Sequence, residues 1–160
     1  MKLLFAIILL TNLAVAKAQK EYAGSYTQAF QTLIIKNDST FRYSYRTHIR
    51  TSWNVGTWRV NNDTIYFKVV PVMDTLYYTN ASKVKLWYEL VLSDDDKNDV
   101  STTIIIKPND KFNLQTINSG PTLLYFKRNK LFYIIQGKLL LGKTQHYLLR
   151  RKLKNWFVKK

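Results

Sequence analysis

Thr40-Phe41-Arg42-Tyr43-Ser44-Tyr45-Arg46-Thr47-His48-Ile49-Arg50 alternates without a break. Phe41, Tyr43, Tyr45, Thr47 and Ile49 fall on one side, and Arg42, Ser44, Arg46, His48 and Arg50 on the other. Successive side chains of a strand point to opposite faces, so this period of two predicts a strand with its aromatic side in a core and its arginines in water. Asn37-Asp38-Ser39, just upstream, is turn chemistry, because Asn and Asp tolerate left-handed backbone and hydrogen-bond their own turn. The same device returns at Asn61-Asn62-Asp63, which joins a strand over 55–60 to one over 64–70. Pro71, lacking an N–H, closes the second of these or puts it on an edge.

Working outward, further strands are expected over 83–92, 100–107, 111–117, 122–126, 131–136 and 144–151. Short turn-forming segments separate them, with no convincing helical period, long linker or low-complexity tract between. The fold class that follows is all-β: an antiparallel meander of roughly eight to ten strands that closes as a barrel or half-barrel to hide its edges, with a sandwich as the alternative. Eleven Tyr, eight Phe and four Trp suit half-buried pleated surfaces. The chain has no Cys, so core burial alone must hold it, which one domain of about 140 residues permits.

The amino terminus predicts export. Lys2 precedes an apolar run over 3–15 that only Thr11 and Asn12 interrupt, and Ala16-Lys17-Ala18 then offers a small-residue cleavage site. The run is shorter than the roughly 20 residues that span a bilayer. We therefore expect a signal peptide over 1–18, a mature domain over 19–160 without a transmembrane helix, and a periplasmic or extracellular location.

Three motifs carry a family likeness: Asp38-Ser39-Thr40-Phe41, then Gly56-Thr57-Trp58, then Asn62-Asp63-Thr64-Ile65. Together they resemble the opening of small bacterial lipocalin-like secreted domains, over about thirty residues. The resemblance implies an antiparallel barrel with a possible small apolar ligand and no catalytic residues.

The charge is distributed unevenly. All ten acidic residues lie at or before Asp110, whereas Lys111 onward carries twelve Lys and Arg and no acid. Such a field favours an anionic envelope surface or a polyanion as partner. Arg150, Arg151, Lys152, Lys154, Lys159 and Lys160, interleaved with Trp156, are the candidate contacts, in a basic tail from about residue 152. Wound as a helix, this segment aligns Leu149, Leu153, Trp156 and Phe157 on one stripe, as an interfacial helix would. Read as a strand, it closes the barrel through Arg151 and leaves either conformation open beyond. Tyr125, Phe126, Phe132 and Tyr133 alternate with Lys127, Arg128 and Lys130 much as nucleic-acid stacking grooves do, but export argues against that partner.

Other constellations are weaker. Trp53 and Trp58, flanking Gly56, read as a ligand-stacking pair; by default, Trp58 simply plugs the core base while Gly56 permits a bulge. The run over 94–99 begins like a calcium loop, but Asp99 stands where Gly is needed and Ile105 where a Glu belongs, so an acidic turn is expected. Ser39, Thr64 and Thr75 each follow an Asp in a pattern open to O-glycosylation. His48 and His146 stand far apart, and no nucleophile turn, metal-ligand spacing or cofactor motif is present. These features imply a non-enzymatic binding or envelope-associated module; a structural or adhesion protein is the rival, and a hydrolase comes third.

Overall fold

The computed structural model describes residues 21–48, 50–79, 85–93, 95–101, 113–146 and 151–160. Its strands are β1 Gly24–Gln28, β2 Gln31–Ile35, β3 Thr40–Arg46, β4 Thr51–Asn61, β5 Thr64–Val69, β6 Met73–Thr79, β7 Lys85–Leu92 and β8 Val100–Ser101. They continue with β9 Asn113–Gln115, β10 Leu123–Lys127, β11 Lys130–Ile135, β12 Lys138–Leu139, β13 Lys143–His146, β14 Arg151–Lys154 and β15 Trp156–Lys159. Eight of these close a barrel in chain order: β1, β2, β3, β4, β5, β10, β11 and β15, each antiparallel to the next, with β15 returning to β1.

Tight hairpins impose this order. Asn62 and Asp63, Arg128 and Asn129, and Gln136 and Gly137 all hold positive φ, as two-residue turns matched to the twist of the flanking strands require. Gly56 serves a different end. A Cβ there would sit 2.0 Å from the Lys68 carbonyl oxygen and 2.9 Å from the Phe41 ring, so only glycine lets β5 approach β4 this closely.

Aromatic side chains fill the barrel. Tyr26, Leu33, Ile35, Phe41, Tyr43, Trp58, Ile65, Phe67, Leu124, Phe126, Leu131 and Phe157 are all buried in one cluster. Phe41 meets Phe67 edge to face at 5.0 Å, and Tyr22 meets Phe126 at 4.9 Å. Their polar tips are tied off: Tyr22 Oη donates to Asp63 (2.9 Å), Tyr26 Oη to the Tyr22 carbonyl (2.7 Å), Tyr133 Oη to Gln31 (2.8 Å) and Trp58 Nε1 to the Lys36 carbonyl (2.9 Å). Burial pushes the Tyr43 phenol up to about 12; burial, then the Asp63 carboxylate, does the same for Tyr22. Tyr26 and Tyr133 are raised too, chiefly by burial.

The expected alternation is present in β3. Phe41 and Tyr43 are buried and Tyr45 packs against the core, while Arg46 and Arg50 are exposed. The strand ends sooner than its alternation implies. Thr47 N donates to the Arg50 carbonyl (2.8 Å) and turns the chain, and Ile49 lies outside the described residues.

Between β5 and β10 the chain makes an excursion. There β7, β6 and β8 form a separate three-stranded sheet, and β9 pairs with the start of β4. The β6–β8 and β4–β9 pairings are parallel, which corrects the expectation of a purely antiparallel meander. Two buried amides hold the excursion. Gln115 accepts from Val72 N (2.9 Å) and donates to the carbonyls of Val72 (2.9 Å) and Ser93 (3.2 Å). Asn54 donates to the carbonyls of Thr116 (3.2 Å) and Ser119.

A second correction concerns 144–151. It is not one strand: β13 pairs with β14 from Lys143 opposite Lys154 to His146 opposite Arg151, a hairpin whose connection lies outside the described residues. Only the first two residues of the expected 100–107 strand are described, as β8; the expected leader over 1–18 also falls outside the described residues.

Candidate anionic-surface interface

The strand registers sort the loops onto two rims. The β2–β3, β4–β5 and β10–β11 turns share one rim with Lys160, which donates to the Ser25 carbonyl (2.8 Å). The opposite rim carries the β1–β2 turn, the β3–β4 turn, the excursion, and the two hairpins β11–β12 and β13–β14.

The wall leading to this second rim is aromatic and basic. Tyr125 of β10, Phe132 of β11 and Trp156 of β15 are cross-strand neighbours on the outer face, whereas Phe126 and Phe157 point inward to the core. The rings of Phe132 and Trp156 lie 5.9 Å apart, and the ammonium groups of Lys130 and Lys154 lie 5.7 and 5.9 Å from the Trp156 ring centre. Beside Trp156 an open groove of about 400 Å³ lies between the end of β1 and the β14–β15 segment, lined by Gln28, Lys152, Leu153, Lys154 and Val158 among others. Exposed Lys138 and Lys143 stand on the adjoining hairpins.

The acids of this rim belong to the excursion and not to the hairpins. Asp74, Asp95, Asp96 and Asp99 belong to the excursion, where Asp96 pairs with Arg42, Asp95 accepts from Lys97 N (2.8 Å) and Asp74 from Asp99 N (2.9 Å). That local pairing, in an acidic turn, explains the 94–99 run; Asp94 itself lies outside the described residues.

The candidate contacts of the last residues are thus divided. Lys152, Lys154 and Trp156 gather at the groove, while Lys159 turns to the other rim, donating to the Glu21 carbonyl (3.0 Å) over the Tyr26 ring, near exposed Lys160. Arg151 belongs to β14, and Arg150 lies outside the described residues. The helical stripe does not form: residues 151–154 and 156–159 are β14 and β15, and Trp156 and Phe157 face opposite ways. Lys130, Lys138 and Lys143, absent from the sequence-derived set, join it because β11 flanks β15 and carries the β12 hairpin, and the β13–β14 hairpin leads into β15.

Trp53 and Trp58 are not a pair. Trp58 is in the barrel core, as the default reading holds; Trp53 lies on the outer phase of β4, yet it is fully buried, with the Arg42 guanidinium 5.2 Å over its ring. Among the turn hydroxyls, Ser39 sits in a left-handed turn position, Thr64 opens β5, and Thr75 lies in the sheet opposite Leu90 and Val100. No family model, curated protein or solved structure matches this chain.

Proposed function

We propose that this protein is an exported, non-enzymatic binding module that attaches to anionic envelope surfaces through the outer wall and loop rim built from its last third. The observation that carries the reading is the wall around Trp156, where Lys130, Lys152 and Lys154 converge without an acidic residue from the same third of the chain. Eight strands closing in chain order agree with the likeness to lipocalin-like domains. The aromatic filling favours binding on the outside over a small apolar ligand held in a calyx.

The test is co-sedimentation of the exported protein with anionic and neutral vesicles across salt concentrations. Exposed charges are screened over about 8 Å at physiological ionic strength, so binding to anionic vesicles should fall steeply with salt. Lys130→Gln with Lys152→Gln and Lys154→Gln should weaken it severalfold. Absence of binding at low salt would leave the rival, a structural or adhesion protein whose basic surface serves only solubility.

A further inference from the structure

The β11–β12 hairpin and the link that follows it carry three aliphatic side chains with no place in the core: Ile135, Leu139 and Leu141 are 53%, 38% and 61% exposed. The turn between the strands is tight, with Gln136 and Gly137 at φ 50 and 73, so the tip is presented by a defined hairpin in which Ile134 pairs with Leu139 and Ile135 with Lys138. The link is tied to the barrel by Leu140 N donating to the Tyr133 carbonyl (2.9 Å), while the glycines of the turn and the link face open space. A Cβ built on Gly137 or Gly142 would meet nothing within 4 Å. Lys138 stands opposite Ile135 beside the turn, Lys143 follows the aliphatics, Lys152 and Lys154 lie on β14, and all four lysines are exposed.

From this arrangement we infer that Ile135, Leu139 and Leu141 enter the interfacial layer of an anionic lipid bilayer, with Lys138 at the hairpin apex snorkelling to the headgroups and the surrounding lysines held there. Isolated aliphatic side chains cannot stack on sugar rings, and they gain by leaving water for acyl chains. The flanking lysines complement lipid phosphates while their methylene stems follow the apolar side chains inward. Three fingers on a narrow hairpin make a wedge, whereas a stable protein interface needs on the order of 1,200 Å² of buried surface. The inference deepens the proposed function and rests on it: the wall supplies long-range attraction, and the tip supplies the apolar step that selects lipid over other polyanions.

The experiment compares the exported protein with the triple variant Ile135→Ser, Leu139→Ser, Leu141→Ser on vesicles of mixed phosphatidylglycerol and phosphatidylcholine, and on immobilised heparin as a lipid-free polyanion. The variant should lose at least tenfold in vesicle affinity, retain its elution from heparin, and keep the parent's melting temperature. Because the chain has no Cys, Ile135→Cys can carry a single environment-sensitive dye, which should brighten and shift to the blue on vesicles while the same dye at Thr57→Cys on the outer wall does not. This labelled form decides the matter even where the serine variant folds poorly. Equal vesicle binding by parent and triple variant, or a silent dye at 135, overturns the tip alone; failure of the parent on both vesicles and heparin overturns the proposed function with it. A change in the parent's sedimentation coefficient without lipid, abolished by the serines, would assign the tip to self-association and overturn lipid insertion.

Discussion

Three arginines that look equivalent in the 40–50 stretch have different surroundings. Arg46 and Arg50 are exposed, but Arg42 pairs with Asp96 and covers the Trp53 ring. Arg46→Ala should therefore stay within about 0.5 kcal/mol of the parent in denaturant melts, while Phe41→Ala, on the opposite face, should cost about 3–5 kcal/mol. Equal effects would mean that the strand's two faces are exchanged. Gly56→Ala should cost about 1–3 kcal/mol or more, because the added methyl meets a backbone carbonyl rather than the end of a flexible side chain. Alternation marks which way a side chain points, and it placed Phe41 and Tyr43 correctly. It cannot show what later covers an outward residue, so the burial of Trp53 beneath Arg42 was not legible.

β15 shows how an element's role depends on its neighbours. Its four residues lie between β1 and β11, and Phe157 is completely buried. A chain ending at Arg151 should lose the dispersed amide spectrum of a folded barrel, whereas replacing the lysines should leave it intact. The basic content of this segment was plain in the sequence, but its alternation is too short to separate strand from helix, and only pairing with β1 and β11 decides between them. β9 falls within the strand expected over 111–117, but its parallel pairing with β4 and the part played by Gln115 were hidden for a related reason. A buried glutamine that brackets two distant carbonyls leaves no periodic signature. Gln115→Ala should free the excursion: limited proteolysis should cut between Val70 and Asn113 sooner, with the barrel's own melting temperature falling less than its protection there.

Across the whole molecule, the excursion is rich in acid, while the flank from β11 to β15 and its rim hairpins are wholly basic. The interior adds a pH limit. Tyr22 and Tyr43 hold their protons to about 12, and Tyr26 and Tyr133 are shifted the same way, whereas phenols of an unfolded chain ionise near 10. Above pH 10 the unfolded state therefore loses protons first, so this stabilisation is complete below pH 10 and disappears as pH rises towards 12. The urea midpoint should fall across that window, and absorbance titration should reveal a late-ionising class of tyrosines; a flat midpoint would mean that these phenols are hydrated. The closure of β1 by β15 has a consequence in time as well as in space. Tyr26 cannot meet its partner Lys159 until every strand between them has been synthesised, and pairings so distant in sequence form slowly. The nascent chain is thereby kept from sealing its barrel early, which would serve the export proposed above by keeping the polypeptide threadable.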